Sequence, residues 1–294
     1  PAQEITASLS YTAGGNERTV EWTFTAQDYP TLSKGRTDVG SGSDSGFEFR
    51  IFQTATSRGN NTADAEAQLA GTWADGEENV ADPAGSETSD GPGVLFNVDL
   101  INMDQDGNAQ GVFRDSGDGS STDRVDDPIP GIPGLTDSTD AMSAEILAYI
   151  EFPSAGYYQM IFNSDDGFRV TETHGAGDAA GMELGVFNGG RGASDSRFGF
   201  AVIEAGVYPI RAIWYEGGGG ANLEWSTTDG ASRWLINDSD SNALKAFRSR
   251  SGTPTDVALP STGGSIASVG LSEGNVVIEY SGTLKSSESV TGPF

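Results

Sequence analysis

Apolar and polar residues alternate along the first fifty positions of the chain. Ile5 and Leu9 fall on one face of a predicted strand, and Val20 and Trp22 fall on one face of the next. Alternation with a period of two is typical of β-strands, and the glycine-containing turn at 13–16 predicts a hairpin.

Two short stretches have the signals of helices instead. Residues 62–70 combine Thr62 as the expected N-cap, acidic residues in the first turn and Gly71 after the last helical position. Residues 240–248 are expected to form a second short helix. Between these stretches the pattern predicts strands and loops.

From residue 94 onward, predicted strands follow one another at short spacing without intervening helices. Their expected positions are 95–100, 144–152, 156–163, 168–173, 198–203, 207–215 and 221–226. Sequential strands joined by turns favour an antiparallel arrangement. The fold class predicted for the chain is therefore all-β, with an antiparallel β-sandwich as its main body.

The domain organisation follows from shifts in composition. We expect a β-rich N-terminal region with one helix at 1–73, an acidic linker at 74–93, a β-sandwich at 94–250, a Ser/Thr/Gly/Pro linker at 251–264 and a β tail at 265–294. The tail has too few strands to bury a core alone. Its unpaired edges predict contacts with another chain.

Charge and composition narrow the choice of partners. The 294 residues include 43 acidic and 16 basic side chains, so the net charge of −27 argues against nucleic acid and anionic lipid as partners. No apolar run approaches the roughly 20 residues of a membrane span. Cysteine is absent, which excludes disulfides and thiolate metal sites. The composition predicts an extracellular protein, secreted or on the cell surface.

Three motifs in the second half of the chain lie in a characteristic order. They are GYYQMIFNSDDGFRV at 156–170, EAGVYPIR at 204–211 and WYEGGGGANLEW at 214–225. Together they resemble the protective-antigen β-sandwich family over residues 94–250. The resemblance implies a calcium-assisted module for carbohydrate binding or cell-surface adhesion.

The same resemblance implies a site at the paired aspartates. In lectin members of the family, two aspartates joined by a cis peptide bond ligate Ca²⁺, and hydroxyls of an extracellular glycan complete the coordination. The residues expected to hold the metal here are Asp165, Asp166, Glu216 and Gly218; those expected to contact the glycan are Asp165, Asp166, Trp214 and Gly219. The glycine-rich loop lacks the asparagine that often follows the glutamate. A simple Asp-Asp-Gly turn is the alternative.

A second acidic stretch has the spacing of a calcium loop. Asp104, Asp106 and Asn108 occupy positions one, three and five, and Asp115 occupies position twelve. Ala109 stands where such loops have glycine, and no flanking helices are predicted. Both a calcium clamp and a solvated turn remain open for this stretch.

Catalysis is not expected. The single histidine, His174, lies in a glycine-rich segment without a neighbouring nucleophile elbow. The leading hypothesis is a secreted, calcium-dependent module for carbohydrate binding or adhesion. The alternative is a structural subunit that self-associates into an extracellular filament or surface layer through its edge strands or its C-terminal tail.

Overall fold

A computed structural model describes most of the chain. The described residues are 3–26, 29–32, 40–57, 59–73, 77–88, 91–105, 110–173, 175–251, 265–272 and 275–281. The chain forms two compact units, one of Pro30–Val257 and one that combines the two ends, Pro1–Tyr29 and Ala258–Phe294.

The described residues are mostly in strands. In chain order the elements are β1 (Gln3–Ala13), β2 (Asn16–Ala26), β3 (Thr31–Leu32), β4 (Gly42–Ser45), β5 (Phe47–Gln53), α1 (Thr62–Leu69), β6 (Val94–Val98), β7 (Asn102–Asp104), β8 (Asp127–Pro128), β9 (Met142–Phe152) and β10 (Gly156–Asp165). They continue with β11 (Gly167–Glu172), β12 (Met182–Phe187), β13 (Ser194–Val202), β14 (Gly206–Glu216), β15 (Asn222–Thr228), β16 (Arg233–Leu235), β17 (Lys245–Arg250), β18 (Ser265–Ser272) and β19 (Asn275–Ser281).

The larger unit is built from two sheets. One has the order β3-β13-β10-β15-β7-β8, with β16 beside β15; the other has the order β12-β11-β14-β9-β17-β4, with β5 and β6 joined to it through β9. Nearly all of the pairings are antiparallel, and β3 with β13 and β7 with β8 are the parallel ones among the described strands. This architecture confirms the predicted all-β antiparallel sandwich.

Aromatic side chains join the two sheets through one core. Phe162 on β10 stacks on Phe168 on β11, with 4.4 Å between the ring centroids. Trp225 on β15 contacts Phe47 on β5 at 5.9 Å. Each pair connects strands of different sheets, so the core lies between them, as in a sandwich.

Residues that we expected in a separate N-terminal region lie inside the sandwich. β5 pairs with β9 on one side and with β6 on the other. Its inward residues Phe47, Phe49 and Ile51 are fully buried in the main core. The compact unit therefore begins at Pro30, which differs from the boundary expected at residue 94. Alternation identified β5 as a strand but did not indicate its partners.

Three local expectations are corrected by the structure. The N-cap of α1 is Asn61, whose Oδ1 accepts the Asp64 backbone N–H at 2.9 Å, and Thr62 is the first helical residue. The helix expected at 240–248 is wrong, because β17 pairs there with β9. Strand β12 was not predicted.

Among the described residues, no helix is long and apolar enough to cross a membrane.

The described strands of the terminal unit form two hairpins. β1 pairs with β2, β18 pairs with β19, and β1 contacts β18. The C-terminal strands that were expected to need another chain thus pack against the N-terminal hairpin of their own chain. Self-association of the protein through this tail stays a prediction. The contacts described for β18 and β19 do not support it.

A buried ion-pair network fastens α1 to the sheet beneath it. The Arg211 guanidinium on β14 donates to Glu145 on β9 at 2.6 Å and to both carboxylate oxygens of Glu66 on α1 at 2.7 Å. Arg211 and Glu145 are 1% and 2% exposed. Because the guanidinium fork holds two carboxylates at once, it fixes the helix against the outer face of the sheet.

We predict that Arg211→Met destabilises the protein by about 3–5 kcal/mol, because it leaves the buried Glu145 carboxylate without its closest cation. Arg233→Met is the matched control, since it breaks a pair with the partly exposed Asp195. The control should cost about 0–1 kcal/mol. Urea unfolding measures both free energies, and equal losses in the two variants would contradict the prediction.

Candidate metal centre

Three acidic side chains converge at one end of the sandwich. Carboxylate oxygens of Asp165, Asp166 and Glu216 all lie within 4.8 Å of one another, and the three residues are buried. β10 ends at Asp165 and β14 ends at Glu216, so strands of both sheets deliver them. The Asp165–Asp166 peptide bond is cis, as the sequence resemblance implied.

Hydrogen bonds fix the second aspartate in place. Its Oδ2 accepts the Asn60 amide at 2.6 Å and the Gly217 backbone N–H at 3.0 Å, and its Oδ1 accepts the Arg191 backbone N–H at 2.7 Å. A Cβ atom at Gly217 would collide with the Asn60 amide, so a larger residue there would displace the side chain that donates to Asp166. The Asp166 carboxylate is therefore oriented by three separate segments.

Arg191 supports the aspartates from the opposite side. Its Nε donates to the Ser164 carbonyl at 3.1 Å, and one terminal nitrogen donates to the Ser164 hydroxyl at 2.8 Å. The guanidinium lies 4.2 Å from the ring centroid of Phe187. Burial lowers the pKa of Arg191. This arginine organises the turn and supplies positive charge near the acidic cluster.

The electrostatics of the cluster favour neutralisation. Burial, together with the charges of Asp166 and Asp165, raises the pKa of Glu216 to about 9. Burial and the charge of Asp166 raise the pKa of Asp165 to about 6. Without a cation, the raised pKa of Glu216 keeps a proton on this residue near neutral pH. A hard divalent ion would replace that proton, because carboxylate oxygens are the ligands that it prefers.

The glycine-rich loop 217–220 forms the solvent side of this centre. Gly219 is exposed, donates its N–H to Asp140 Oδ1 at 3.2 Å and accepts from the Gln105 amide at 2.9 Å. Gly218 is exposed on the same loop. The loop therefore borders the carboxylates and exposes Gly218 and Gly219 to solvent.

One residue predicted to contact the ligand lies in the core instead. Trp214 is fully buried, and its indole N–H donates to the Asp165 carbonyl at 3.0 Å. A buried indole cannot stack on a glycan at the surface, so the expectation is corrected: Trp214 holds the aspartate turn from below.

The predicted calcium loop is only partly described. Asp104 is buried and accepts the Gln110 backbone N–H at 2.9 Å, whereas Asp115 is exposed. Asp106 and Asn108 lie outside the described residues, as does His174. Among the described side chains, neither Asp104 nor Asp115 belongs to a convergent group of three acids.

Sequence reasoning missed three residues that shape the centre: Asn60, Asp140 and Arg191. Asn60 stands 106 positions before Asp166 in the chain. It precedes α1 in an N-x-T sequon, Asn60-Asn61-Thr62, which gives no signal of a metal centre. Only the folded arrangement of α1 against β14 reveals it.

In the presence of a chelator, stability should fall as pH rises from about 4.5 to 9. The folded pKa of Glu216 lies above its ordinary value of 4.5, so in this window the folded state binds more protons than the unfolded state. Urea unfolding across this range should show a shallower decline for Glu216→Gln. Parallel curves for the two proteins would contradict the assignment.

Comparisons with known proteins return structural similarity only. No protein-family model and no curated protein matches the chain. Among solved structures, the PA14 domain of the antifreeze protein MpAFP is 18% identical, with a TM-score of 0.42 over 71% of this chain and 95% of that one. A PA14 sugar-binding domain from an RTX adhesin is 17% identical, with a TM-score of 0.41 over 66% of this chain and 96% of that one.

A third solved structure comes from a yeast. The epithelial adhesin 9 A domain of Candida glabrata, in complex with Galβ1-3GlcNAc, is 11% identical, with a TM-score of 0.47 over 77% of this chain and 99% of that one. The chain is therefore similar to PA14 and adhesin domains, as the three sequence motifs predicted.

Proposed function

We propose that this protein binds Ca²⁺ through Asp165, Asp166 and Glu216, with backbone oxygen from Gly218. The convergence of three buried carboxylates within 4.8 Å is the observation that supports it. Ca²⁺ takes 6–8 oxygen ligands in flexible geometry, and an ion would remove the mutual repulsion of these groups. The bonds from Asn60 and Gly217 hold Asp166 ready for this role.

The second part of the proposal is that the bound ion recognises an extracellular glycan. The protein ligands leave coordination positions unfilled, and the exposed loop at Gly218 and Gly219 borders the same space. Two neighbouring hydroxyls of a sugar ring are suitable oxygen ligands for such positions. The role is one of binding or adhesion rather than catalysis.

The proposed location is extracellular, either secreted or at the cell surface. The net charge of −27 supports this placement. A chain so acidic is compatible with a calcium-rich exterior, where divalent ions screen its self-repulsion.

Asp166→Asn should abolish calcium-dependent glycan binding, because it removes the charge of the best-positioned ligand while preserving shape. The measurement is titration of immobilised protein with galactose-containing disaccharides such as Galβ1-3GlcNAc, followed by a glycan array, with calcium and with chelator. Asp99→Asn is the control, since Asp99 is exposed and lies outside the centre.

Two outcomes separate the parts of the proposal. If the wild-type protein binds one calcium ion more than Asp166→Asn but binds no glycan, the metal centre stands and the recognition role fails. If Asp166→Asn binds as many calcium ions as Asp99→Asn, the metal centre itself is refuted.

A further inference from the structure

A second polar cluster lies on the seven-stranded sheet. Across β15 and β7, Asn222 lies opposite Asp104 and Glu224 lies opposite Asn102. Residues two apart on a strand face the same side, so these four form one patch. Asp126, immediately before β8, extends the patch through a hydrogen bond with Asn102. We call these five residues the covered cluster.

The patch lies on the outer face of the sheet, which in most sandwiches meets water. The intervening residues Met103 and Leu223 face the core. The four cluster residues on β7 and β15 are nonetheless at most 1% exposed. Segment 110–113 covers them, beginning with the bond from the Gln110 backbone N–H to Asp104.

The cover is bound most tightly to Glu224. Its Oε1 accepts the backbone N–H groups of Val112 and Phe113 at 2.7 and 2.9 Å. A Cβ atom at Gly111 would collide with the same carboxylate, so the chain can pass this closely only with glycine. The segment is thus shaped around an acid rather than around an apolar surface.

Several oxygens beneath the cover have no hydrogen-bond partner among the described residues. They are Asn102 Oδ1, Asn222 Oδ1, Glu224 Oε2 and Asp126 Oδ1. All four are acceptors, and buried acceptors are ordinarily paired. A cation is one species that several acceptors can share. The two unpaired amide oxygens support a bound cation independently of the acidic residues around them.

The carboxylates of the cluster are also poorly solvated. Burial raises the pKa of Glu224 to about 8, against the lowering effect of the Val112 and Phe113 N–H groups. Burial and the charge of Asp104 raise the pKa of Asp126 to about 6. Burial therefore favours neutralisation of Glu224, either by a proton or by a positive ion.

We propose that the covered cluster is a second Ca²⁺ site, held by Asp104, Asp126 and Glu224 together with the amide oxygens of Asn102 and Asn222. Among the described residues, only the first centre brings three carboxylates within 4.8 Å, so the amides between the acids are needed to complete this shell. A donor set made only of oxygen suits Ca²⁺ and excludes soft metals.

This site replaces the calcium loop suggested by spacing. It keeps Asp104, omits the exposed Asp115, and draws Asn222 and Glu224 from a strand more than a hundred residues away. It does not depend on glycan recognition or on ligation at the first centre.

The test counts calcium ions on the full chain after chelator treatment, by equilibrium dialysis against Ca²⁺. We expect two ions per chain for the wild type and one for Glu224→Gln, which keeps an acceptor for the two N–H groups of the cover. Asp166→Asn should also bind one, through loss at the first centre. Equal counts for the wild type and Glu224→Gln would overturn the second site, whereas equal counts for the wild type and Asp166→Asn would overturn the first.

Asp115→Asn is the control that separates this cluster from the spacing-based loop. It should retain two ions, and loss of one ion in Asp115→Asn but none in Glu224→Gln would overturn the proposal.

Thermal melting shows whether Glu224→Gln is folded. In chelator, the variant should melt close to the wild-type temperature, because its amide oxygen can still accept the Val112 and Phe113 N–H groups. Added Ca²⁺ should raise the melting temperature of the wild type more than that of Glu224→Gln. Equal calcium-induced shifts would indicate that protons or water neutralise Glu224, and would overturn the proposal.

Discussion

Repulsion between buried carboxylates is the constraint around which the end of the sandwich is organised. Asp165, Asp166 and Glu216 meet where strands from the two sheets end, and none of them is well solvated. Each carboxylate would favour water if the sheets separated. The surrounding segments offset that tendency with backbone N–H groups, the Asn60 amide and the guanidinium of Arg191.

The same principle organises the outer face of the seven-stranded sheet. There the chain turns over an array of acids and amides and donates backbone N–H groups to Asp104 and Glu224. In both places, irregular backbone is held by anionic side chains that lie in strands or directly at a strand end. The conformation of these loops therefore depends on the positions of the carboxylates as much as on turn-forming residues.

Much of the fold was predictable because alternation reports directly on the faces of strands. It identified the strands that contain the aspartate pair, and the motifs around that pair predicted both the turn and its cis peptide bond. Glu216 was expected from the glycine-rich loop that follows it. Each of these features was predictable because about a dozen neighbouring residues indicate it.

What sequence reasoning missed depends on contacts between distant segments. Asn60 meets Asp166 only because α1 packs on β14, and Glu224 meets Asn102 only because β15 pairs with β7. The burial of Trp214 depends on both sheets being present. Spacing along the chain suggested Asp115 as a partner of Asp104, whereas strand register placed Asn222 opposite it.

The position of β5 has a practical consequence for anyone who expresses this protein in parts. A fragment that begins at residue 94, the start of the region with the family-like motifs, would lack β5, the strand between β6 and β9. It would therefore lose Phe47, Phe49 and Ile51 and expose the part of the main core that they cover. It would also lose Asn60. A recombinant sandwich should therefore start no later than Pro30, the first residue of its compact unit.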